Sequence, residues 1–332
     1  MNPPPLITAQ TEEKLLAFLT ESGHTKFRVQ QIMDWVWRKR VASFDAMTNL
    51  SPALRSLLAE NFRFHTPEIV EISGTPGSTR KFLTRMEDGS LVESVIIPAA
   101  VAEDGEKADR TTLCVSSQVG CAFGCKFCAS GLLGLRRNLS AGEITGQILS
   151  AESIAGKRIN NLVFMGMGEP LANFDNLHDA LEIITSHRGL EIGARHITIS
   201  TSGFVPGLKK LAAYPRQIRL AVSLHGATDE VRSQIMPVNK KMASFPAHPC
   251  SGGMGKGPEP DAHAGIHPHP GRKRLPERCI PSRADRQAPA RQSQPHPVQH
   301  RGGASLGTPL GRALLHLPRR RPQGPHPRHH AV

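Results

Sequence analysis

Three cysteines lie close together near the middle of the chain. Cys121, Cys125 and Cys128 are spaced as C-x3-C-x2-C. Thiolates are the usual protein ligands of iron–sulfur clusters, and a [4Fe–4S] cube most often takes four of them. Three thiolates on one short loop therefore leave one iron open. The amino and carboxylate groups of a small ligand would suit that iron, so the spacing indicates a cluster that binds a second molecule.

Other uses of these thiols have to be weighed. A structural zinc ion takes four ligands, and Cys114 would be the fourth. Such zinc sites usually have two C-x2-C pairs, whereas this segment has one. A disulfide needs an oxidising compartment. A catalytic role for single thiols does not explain why three cysteines have the spacing C-x3-C-x2-C. The spacing favours the open-iron cluster, and a non-catalytic zinc protein that binds RNA remains the alternative.

A second group of residues with useful chemistry lies about 40 residues further on, where a predicted strand runs into Gly-Met-Gly-Glu-Pro at 166–170. Glycines at a strand end let a ligand approach the backbone, and a glutamate there can accept hydrogen bonds from an ammonium group. The next two predicted strands end in small or hydroxyl-bearing residues. We expect the ligand to contact Gly168, Glu169, Ser200, Ser223, Leu224 and His225.

Hydrophobic periodicity predicts the scaffold that must hold these residues. From residue 111 onward, strand-like runs at 112–116, 161–165, 196–200 and 218–224 alternate with helical spacing at 140–155 and 176–185. This alternation predicts an α/β fold with a parallel sheet and crossover helices. A closed eightfold barrel needs more chain, so we expect a partial (βα) barrel or an open sheet over residues 111–241.

Two further regions precede the α/β region. Residues 1–66 show three amphipathic helices and are predicted to form a small helical domain. Residues 67–110 read as strands, with Asp88-Gly89 as a hairpin turn. The basic helix from Arg28 to Arg40 serves either as a packing element or as an RNA contact, and the sequence does not separate the two.

The remaining part, residues 242–332, has a different composition. It carries 14 Lys and Arg against 4 Asp and Glu, whereas residues 1–241 carry 27 against 24. Its sequence is rich in Pro, His, Arg and Gly and has no helix or strand periodicity, so it cannot bury enough apolar area to offset the loss of chain entropy on folding. We interpret it as a disordered, out-of-frame tail. A basic RNA-binding tail is the alternative.

Composition also bears on location. No apolar run approaches the 18 residues of a membrane span, and the N-terminus has no secretory signal pattern. Clustered thiols without export indicate a reducing cytoplasm. We therefore expect a cytoplasmic protein that does not bind membranes, and we expect it to be a monomer.

The cysteine spacing together with the Gly-x-Gly-Glu-Pro segment resembles the radical S-adenosylmethionine (SAM) superfamily. Longer stretches are similar to the RlmN/Cfr family, and to RlmN more than to Cfr, across about residues 12–241. These stretches are FRVQQIMDW at 27–35, MTNL at 47–50, ESVIIP at 93–98, TLCVSSQVGC at 112–121 and MPVNK at 236–240. The resemblance implies a barrel of the radical SAM type, with about four of six βα units present here.

The resemblance also implies an activity. RlmN-like enzymes use a [4Fe–4S] cluster and SAM to methylate C2 of an adenine in 23S rRNA, and often in tRNA; Cfr-type methylation at C8 is the alternative. One SAM methylates a cysteine late in the chain, and a second initiates transfer to the base. Cys114 matches the cysteine that resolves the adduct through a disulfide, and Glu93 matches the proton acceptor. An electron donor such as flavodoxin or ferredoxin is implied as a partner.

The chain departs from the family pattern in one important respect. The methyl-carrying cysteine should follow the last barrel strand in a Gly-rich segment, and nothing in 242–332 matches it. Cys250 and Cys279 lie among Pro and Arg residues, so neither is assigned the role. We predict that the chain as written does not transfer a methyl group. We also predict that its incomplete barrel makes it poorly soluble.

Overall fold

The computed structural model describes residues 3–99, 110–226 and 228–241. The predicted tail at 242–332, with Cys250 and Cys279, lies outside the described residues. Over the described part of the chain, no helix combines the length and the apolar character that crossing a membrane requires.

Three helices form the N-terminal region, as the periodicity predicts. They are α1 (Glu12–Glu21), α2 (Lys26–Met33) and α3 (Pro52–Asn61). The Thr11 hydroxyl caps α1 by accepting from the Lys14 N–H at 3.2 Å, the usual role of threonine before a helix. The chain continues from α2 into a π-helical turn, Asp34–Arg38, so the predicted single helix changes its hydrogen bonding partway along. The inward faces bury Leu15, Leu19, Val29, Ile32, Trp37, Leu54 and Leu58.

A seven-stranded mixed sheet forms the centre of the described fold. Its antiparallel part is β1 (Glu68–Ser73), β2 (Arg80–Arg85), β3 (Leu91–Pro98) and β4 (Thr111–Cys114). Parallel pairing then continues from β4 through β7 (Asn161–Phe164), β8 (Ile197–Thr201) and β9 (Arg219–Val222). A separate two-stranded hairpin pairs β5 (Gln118–Gly120) with β6 (Leu135–Asn138).

Crossover helices connect the parallel strands, which confirms the predicted α/β architecture. The helices that follow β5 are α4 (Ala129–Leu132), α5 (Ala141–Ala155), α6 (Phe174–Thr185), α7 (Val205–Ala212), α8 (Asp229–Ile235) and α9 (Val238–Lys241). The longest, α5, begins with a capping box in which Ser140 and Glu143 satisfy each other's backbone N–H groups. It ends at Gly156, whose left-handed conformation stops the helix.

Successive residues of a strand point to opposite faces of the sheet, and the two faces of this sheet differ in how deeply their side chains are buried. The residues Phe82, Val92, Ile96, Leu113, Leu162, Phe164, Ile197 and Ile199 are buried in the hydrophobic core. The opposite face, here called the open face, is half-buried or exposed and consists of Lys81, Glu93, Val95, Cys114, Val163, Thr198, Ser200 and Ala221. This is the face that a closed barrel would enclose.

Ion pairs connect the N-terminal helices to the α/β region. Arg40 pairs with Glu152 on α5, whose side chain is only 4% exposed. Arg38 lies 3.2 Å from Glu191, and Arg188 pairs with Glu12 on α1. Two cations of the predicted basic helix therefore have partners inside the chain. The RNA contact of that helix stays a prediction.

Candidate functional site

The cysteine loop lies between β5 and α4 and is enclosed by the hairpin that β5 and β6 form. The Cys121 N–H donates to the Gly134 carbonyl at 3.1 Å, and the Cys128 N–H donates to the Cys125 carbonyl at 3.0 Å. Gly124 has a φ of +61°, a left-handed conformation that glycine adopts without steric cost. The loop is thus closed on itself and attached to the hairpin.

A second attachment reaches the cysteine loop from the far end of the described chain. The Lys126 N–H donates to the Ile235 carbonyl, the last residue of α8, at 2.9 Å. This contact places α8 beside the thiols, although more than 100 residues separate the two along the sequence.

Burial is the first cause that raises the pKa of Cys121 and of Cys125. The negative charges of Glu169 and Cys128 raise both pKa values further, and Cys121 adds to the effect on Cys125. The three sulfurs and the Glu169 carboxylate therefore lie within electrostatic reach of one another. Bound iron would favour the thiolate form against this burial and repulsion.

The donor set fits an iron–sulfur cluster. It comprises three free thiols on one hydrogen-bonded loop. Among the described residues, no group of three or more His, Cys, Asp or Glu side chains is arranged closely enough to hold a single metal ion. A four-iron cube places its ligand sulfurs farther apart than one ion does. Cys121, Cys125 and Cys128 would hold such a cluster.

Cys114 is placed differently from the other three thiols. It ends β4 on the open face, and burial raises its pKa, with a smaller contribution in the same direction from the charge of Glu93. A hydrogen bond from the Met165 backbone acts in the opposite direction. Cys114 thus lies outside the cysteine loop, and no group of three or more His, Cys, Asp or Glu side chains that could hold a single metal ion includes it among the described residues.

Glu93 lies next to Cys114 on the open face, on the neighbouring strand. Its carboxylate is 3.0 Å from the Lys81 ammonium, and the ion pair is about half exposed. The Glu93 carbonyl accepts from the Ser116 hydroxyl at 2.6 Å. The structure therefore brings together the two residues that the family resemblance marks as catalytic.

Glu169 is 4% exposed and is held by several hydrogen bonds. Its Oε2 accepts from the N–H and from the hydroxyl of Ser202, at 2.8 and 2.9 Å. Its Oε1 accepts from the Leu171 N–H at 3.2 Å, and its own N–H donates to the Gln118 side chain at 2.8 Å. A carboxylate fixed in this way presents one orientation to a ligand.

Position 168 requires glycine for two reasons, its backbone conformation and its close packing against Gln118. Its φ is +100°, and an added Cβ would lie 2.5 Å from the Cβ of Gln118. The segment after β7 therefore comes as close to the β5 hairpin as a backbone can. This packing places Glu169 beside the cysteine loop.

The remaining predicted ligand contacts lie at the same edge of the sheet. Ser200 is half-buried near the end of β8, and the N–H of Ser223 donates to the Thr201 carbonyl at 2.9 Å. Leu224 is exposed. His225 has a φ of +53°, and its ring lies 4.2 Å from that of Phe127 in the cysteine loop. All six predicted contacts thus gather at the carboxyl ends of the parallel strands, where ligands of such sheets bind.

Sequence reasoning did not single out several residues that complete this site. Ser202 binds Glu169, Gln118 supports the same segment, and Arg232 donates to the Ser202 carbonyl. Ser202 and Gln118 are adjacent to predicted motifs, which is a weak signal. Nothing in the local sequence around Arg232 indicates its contact.

A cleft at the opposite edge of the sheet has different properties. Its volume is about 510 Å³, and its lining includes Arg110, Asn160 and His196. These three residues immediately precede β4, β7 and β8, so the cleft lies at the amino ends of the parallel strands. Ligands of parallel sheets bind at the other edge, and the cysteine loop is there.

Comparison with known proteins agrees with this geometry. Residues 7–63 match the ribosomal RNA large subunit methyltransferase N-terminal domain, and residues 115–244 match the radical SAM superfamily. A protein of Akkermansia muciniphila that is named "Probable dual-specificity RNA methyltransferase RlmN" is 86% identical over 241 residues, which are 73% of this chain and 67% of the relative. The "Probable dual-specificity RNA methyltransferase RlmN 3" of Opitutus terrae is 51% identical over 246 residues, 71% of this chain and 66% of the relative. The chain therefore spans about two thirds of the length of these relatives.

A solved structure is similar as well. The crystal structure of a radical SAM methyltransferase from Sphaerobacter thermophilus matches with a TM-score of 0.64 and 40% sequence identity. The match covers 72% of this chain and 69% of the other. Radical SAM proteins of this kind imply a [4Fe–4S] cluster and SAM as cofactors, which the three-thiol loop and the buried glutamate suit. The chain belongs to the RlmN family of radical SAM methyltransferases.

Proposed function

We propose that this chain is built for methylation of RNA at C2 of adenine, in 23S rRNA and in tRNA, through a methyl-cysteine intermediate. The observation that carries the proposal is the position of Cys114 and Glu93 as neighbours on the open face, at the carboxyl edge where the cysteine loop and Glu169 also lie. When bound, the cluster and SAM supply the methyl group and the one-electron chemistry.

The residues of the cofactor pocket have distinct tasks in this proposal. Cys121, Cys125 and Cys128 hold the cluster. Glu169 accepts hydrogen bonds from the ammonium group of SAM, because its carboxylate is buried and already fixed by Ser202. The segment at Ser223, Leu224 and His225 then borders the rest of the nucleoside.

The open face would receive the adenine. Glu93 accepts the proton that leaves the ring carbon, and its partial exposure leaves it accessible to a base. Cys114 keeps its proton at neutral pH because burial raises its pKa. It would serve as the resolving thiol: its sulfur bonds to the sulfur of the methyl-carrying cysteine, and the bond from that sulfur to the carbon on the base breaks. The electron pair of the broken bond stays on the carbon, which takes up the proton that the thiol gives up, so a disulfide and the methylated base are released.

That last step needs a second cysteine as its partner. We propose that the chain as written assembles the cluster and binds SAM but does not transfer a methyl group, because neither Cys250 nor Cys279 lies in a segment that matches the methyl-carrying one. We further propose a cytoplasmic monomer that receives its electron from a small donor protein such as flavodoxin or ferredoxin.

The test uses the chain and a chimera. In the chimera, residues 1–241 are followed by the corresponding C-terminal part of the Akkermansia muciniphila relative. Both are expressed in a bacterial strain that lacks its own enzyme, and the nucleosides of rRNA and tRNA are analysed by mass spectrometry. We expect 2-methyladenosine with the chimera and none with the chain alone.

Each result bears on a separate part of the proposal. A product methylated at C8 would overturn the assignment of C2. Full methylation by the unmodified chain would overturn its inactivity. A chimera that is soluble and contains iron but yields no methylated adenosine would overturn the proposed activity of residues 1–241.

A further inference from the structure

Arg232 is a buried cation for which the described part of the chain provides no paired carboxylate. It lies on α8, is 8% exposed, and its Nε has no hydrogen-bond partner. Within residues 3–99, 110–226 and 228–241, no carboxylate forms an ion pair with it. Burying a guanidinium without a paired carboxylate costs free energy, so the remaining contacts of Arg232 indicate what it stabilises.

One contact of Arg232 leads to the cofactor pocket. A terminal nitrogen of its guanidinium donates to the carbonyl of Ser202. The N–H and the hydroxyl of the same Ser202 donate to Oε2 of Glu169, at 2.8 and 2.9 Å. Arg232 is therefore connected to the Glu169 carboxylate through a single intervening residue.

Packing around Arg232 restricts its position. A Cβ added to Gly226 would lie 2.8 Å from the Arg232 backbone nitrogen, and one added to Gly203 would lie 3.2 Å from the guanidinium. The arginine therefore lies against the turns that follow β8 and β9. A change at the guanidinium should therefore be transmitted to the turn at Gly203, whereas the turn at Gly226 packs against the backbone of Arg232.

The same helix also contacts the cysteine loop. Ile235, one turn after Arg232, accepts the hydrogen bond from the Lys126 N–H. A rigid α8 thus fixes the distance between the loop that carries the thiols and the turn that carries Ser202. In the proposed function the cluster and Glu169 both contact the amino acid end of SAM, so these two attachments would together set where that end lies.

We propose that Arg232 is a positioning residue for Glu169: it orients Ser202 so that the serine holds the carboxylate toward the ammonium group of SAM. The inference rests on the proposed function, since it assumes that this edge of the sheet binds SAM. Arg232 does not touch the reacting atoms in this scheme. Its effect should therefore disappear when the Glu169 carboxylate is removed.

A double-mutant cycle tests that dependence. The full chain, reconstituted anaerobically, is compared with Arg232→Met, Glu169→Gln and the double variant, and the SAM dissociation constant and iron content are measured. We expect Arg232→Met to weaken SAM binding about tenfold, with iron content unchanged, and to have little further effect beside Glu169→Gln. Arg232→Lys should restore part of the affinity. Losses that multiply in the double variant would overturn the proposal.

A measurement that needs no cofactor separates positioning from a failure of the cofactor site. Hydrogen exchange of the Ser202 amide, which donates to Glu169, is measured in the cluster-free chain. We expect faster exchange in Arg232→Met but not in the matched control Arg195→Met, an exposed arginine at the opposite edge of the sheet. Unchanged protection would overturn the inference alone. A wild-type chain that holds iron but does not bind SAM would overturn the proposed function, and the inference with it.

Discussion

The Lys81 ammonium lies 3.0 Å from the Glu93 carboxylate, and both side chains lie on the open face, which also carries Cys114. The hydrogen bond from Lys81 to Glu93, followed by the charge of Glu93, raises the pKa of the lysine, so it stays protonated. Both groups are about half exposed, and such pairs contribute little to stability. The importance of the pair lies in where it holds the Glu93 carboxylate.

We predict that Lys81→Met lowers the methylation rate of the chimera while leaving its free energy of unfolding within about 0.5 kcal/mol of the parent. Loss of the ammonium frees Glu93 to take other rotamers, which makes proton transfer less efficient. Single-turnover kinetics and denaturant unfolding measure the two effects. The matched control is Arg85→Met, since Arg85 pairs with Glu68 on the same sheet, away from Cys114. Equal rate losses in both variants would contradict the prediction.

The cysteines should separate into two classes by iron content. We predict that Cys121→Ala, Cys125→Ala and Cys128→Ala each abolish the visible absorbance and most of the iron of the reconstituted chain. Cys114→Ala should keep both, because this thiol ends β4 on the open face and lies outside the cysteine loop. Iron and sulfide analysis with visible spectroscopy gives the answer. Bound zinc that depends on all four cysteines would show the cluster assignment to be wrong.

A network at the start of α5 should make stability depend on pH. A hydrogen bond from the Arg137 guanidinium is the main reason that the pKa of Asp88 lies far below its ordinary value. A carboxyl whose pKa is lower in the folded state stabilises the fold above its unfolded pKa, about 4, and loses this effect as pH falls through the folded value. We therefore expect Asp88→Asn to cost about 0.5–1 kcal/mol at neutral pH, discounted for the exposure of the pair.

The difference between the parent and Asp88→Asn should stay constant from about pH 8 to about pH 5 and shrink below about pH 4. Denaturant unfolding across this range measures it. The control is Asp45→Asn, an exposed aspartate whose side chain has no hydrogen bond among the described residues. A difference that grew on acidification would have the wrong sign and would contradict the assigned pairing.

Glu152 should be the residue on which docking of the N-terminal helices most depends. Its buried carboxylate pairs with Arg40, lies 3.3 Å from Arg158, and accepts from the Ile159 N–H at 2.9 Å. We predict that Glu152→Ala lowers the free energy of unfolding by about 1–3 kcal/mol, because a buried backbone N–H loses its acceptor. Denaturant unfolding measures this loss. Glu13→Ala, at an exposed position on α1, should change stability little, and a similar loss there would rule out a specific role.

Much of the fold follows from local patterns. The apolar spacing in α1 and α6, and the runs that become β3 and β7, mark their elements because each buries one face against the core. The cysteine motif and the Gly168-Glu169 segment can likewise be recognised from the sequence, since each consists of residues close together along the chain. The short hairpin of β5 and β6 was not predicted. Its strands are brief, and β6 carries two arginines, so neither shows a buried alternation.

Contacts between distant residues account for the rest. Arg38 and Arg40 read as a basic surface, yet they pair with Glu191 and Glu152, more than 100 positions away. Arg232 looks like an ordinary helix residue and is instead buried against the Ser202 turn. Hydrophobic periodicity indicates which face of a helix is apolar. It does not indicate which distant carbonyl or carboxylate a polar side chain contacts in the folded chain.

The difference between the two faces of the sheet separates folding from catalysis. The helices cover the apolar face of the sheet, whose burial stabilises the fold. The described core therefore forms without any contribution from the open face. In the described residues, no strand pairs with the outer side of β9. A reactive species produced on the open face would meet solvent before it met an RNA base. Continuation of the sheet past β9 would then chiefly serve to shelter the chemistry.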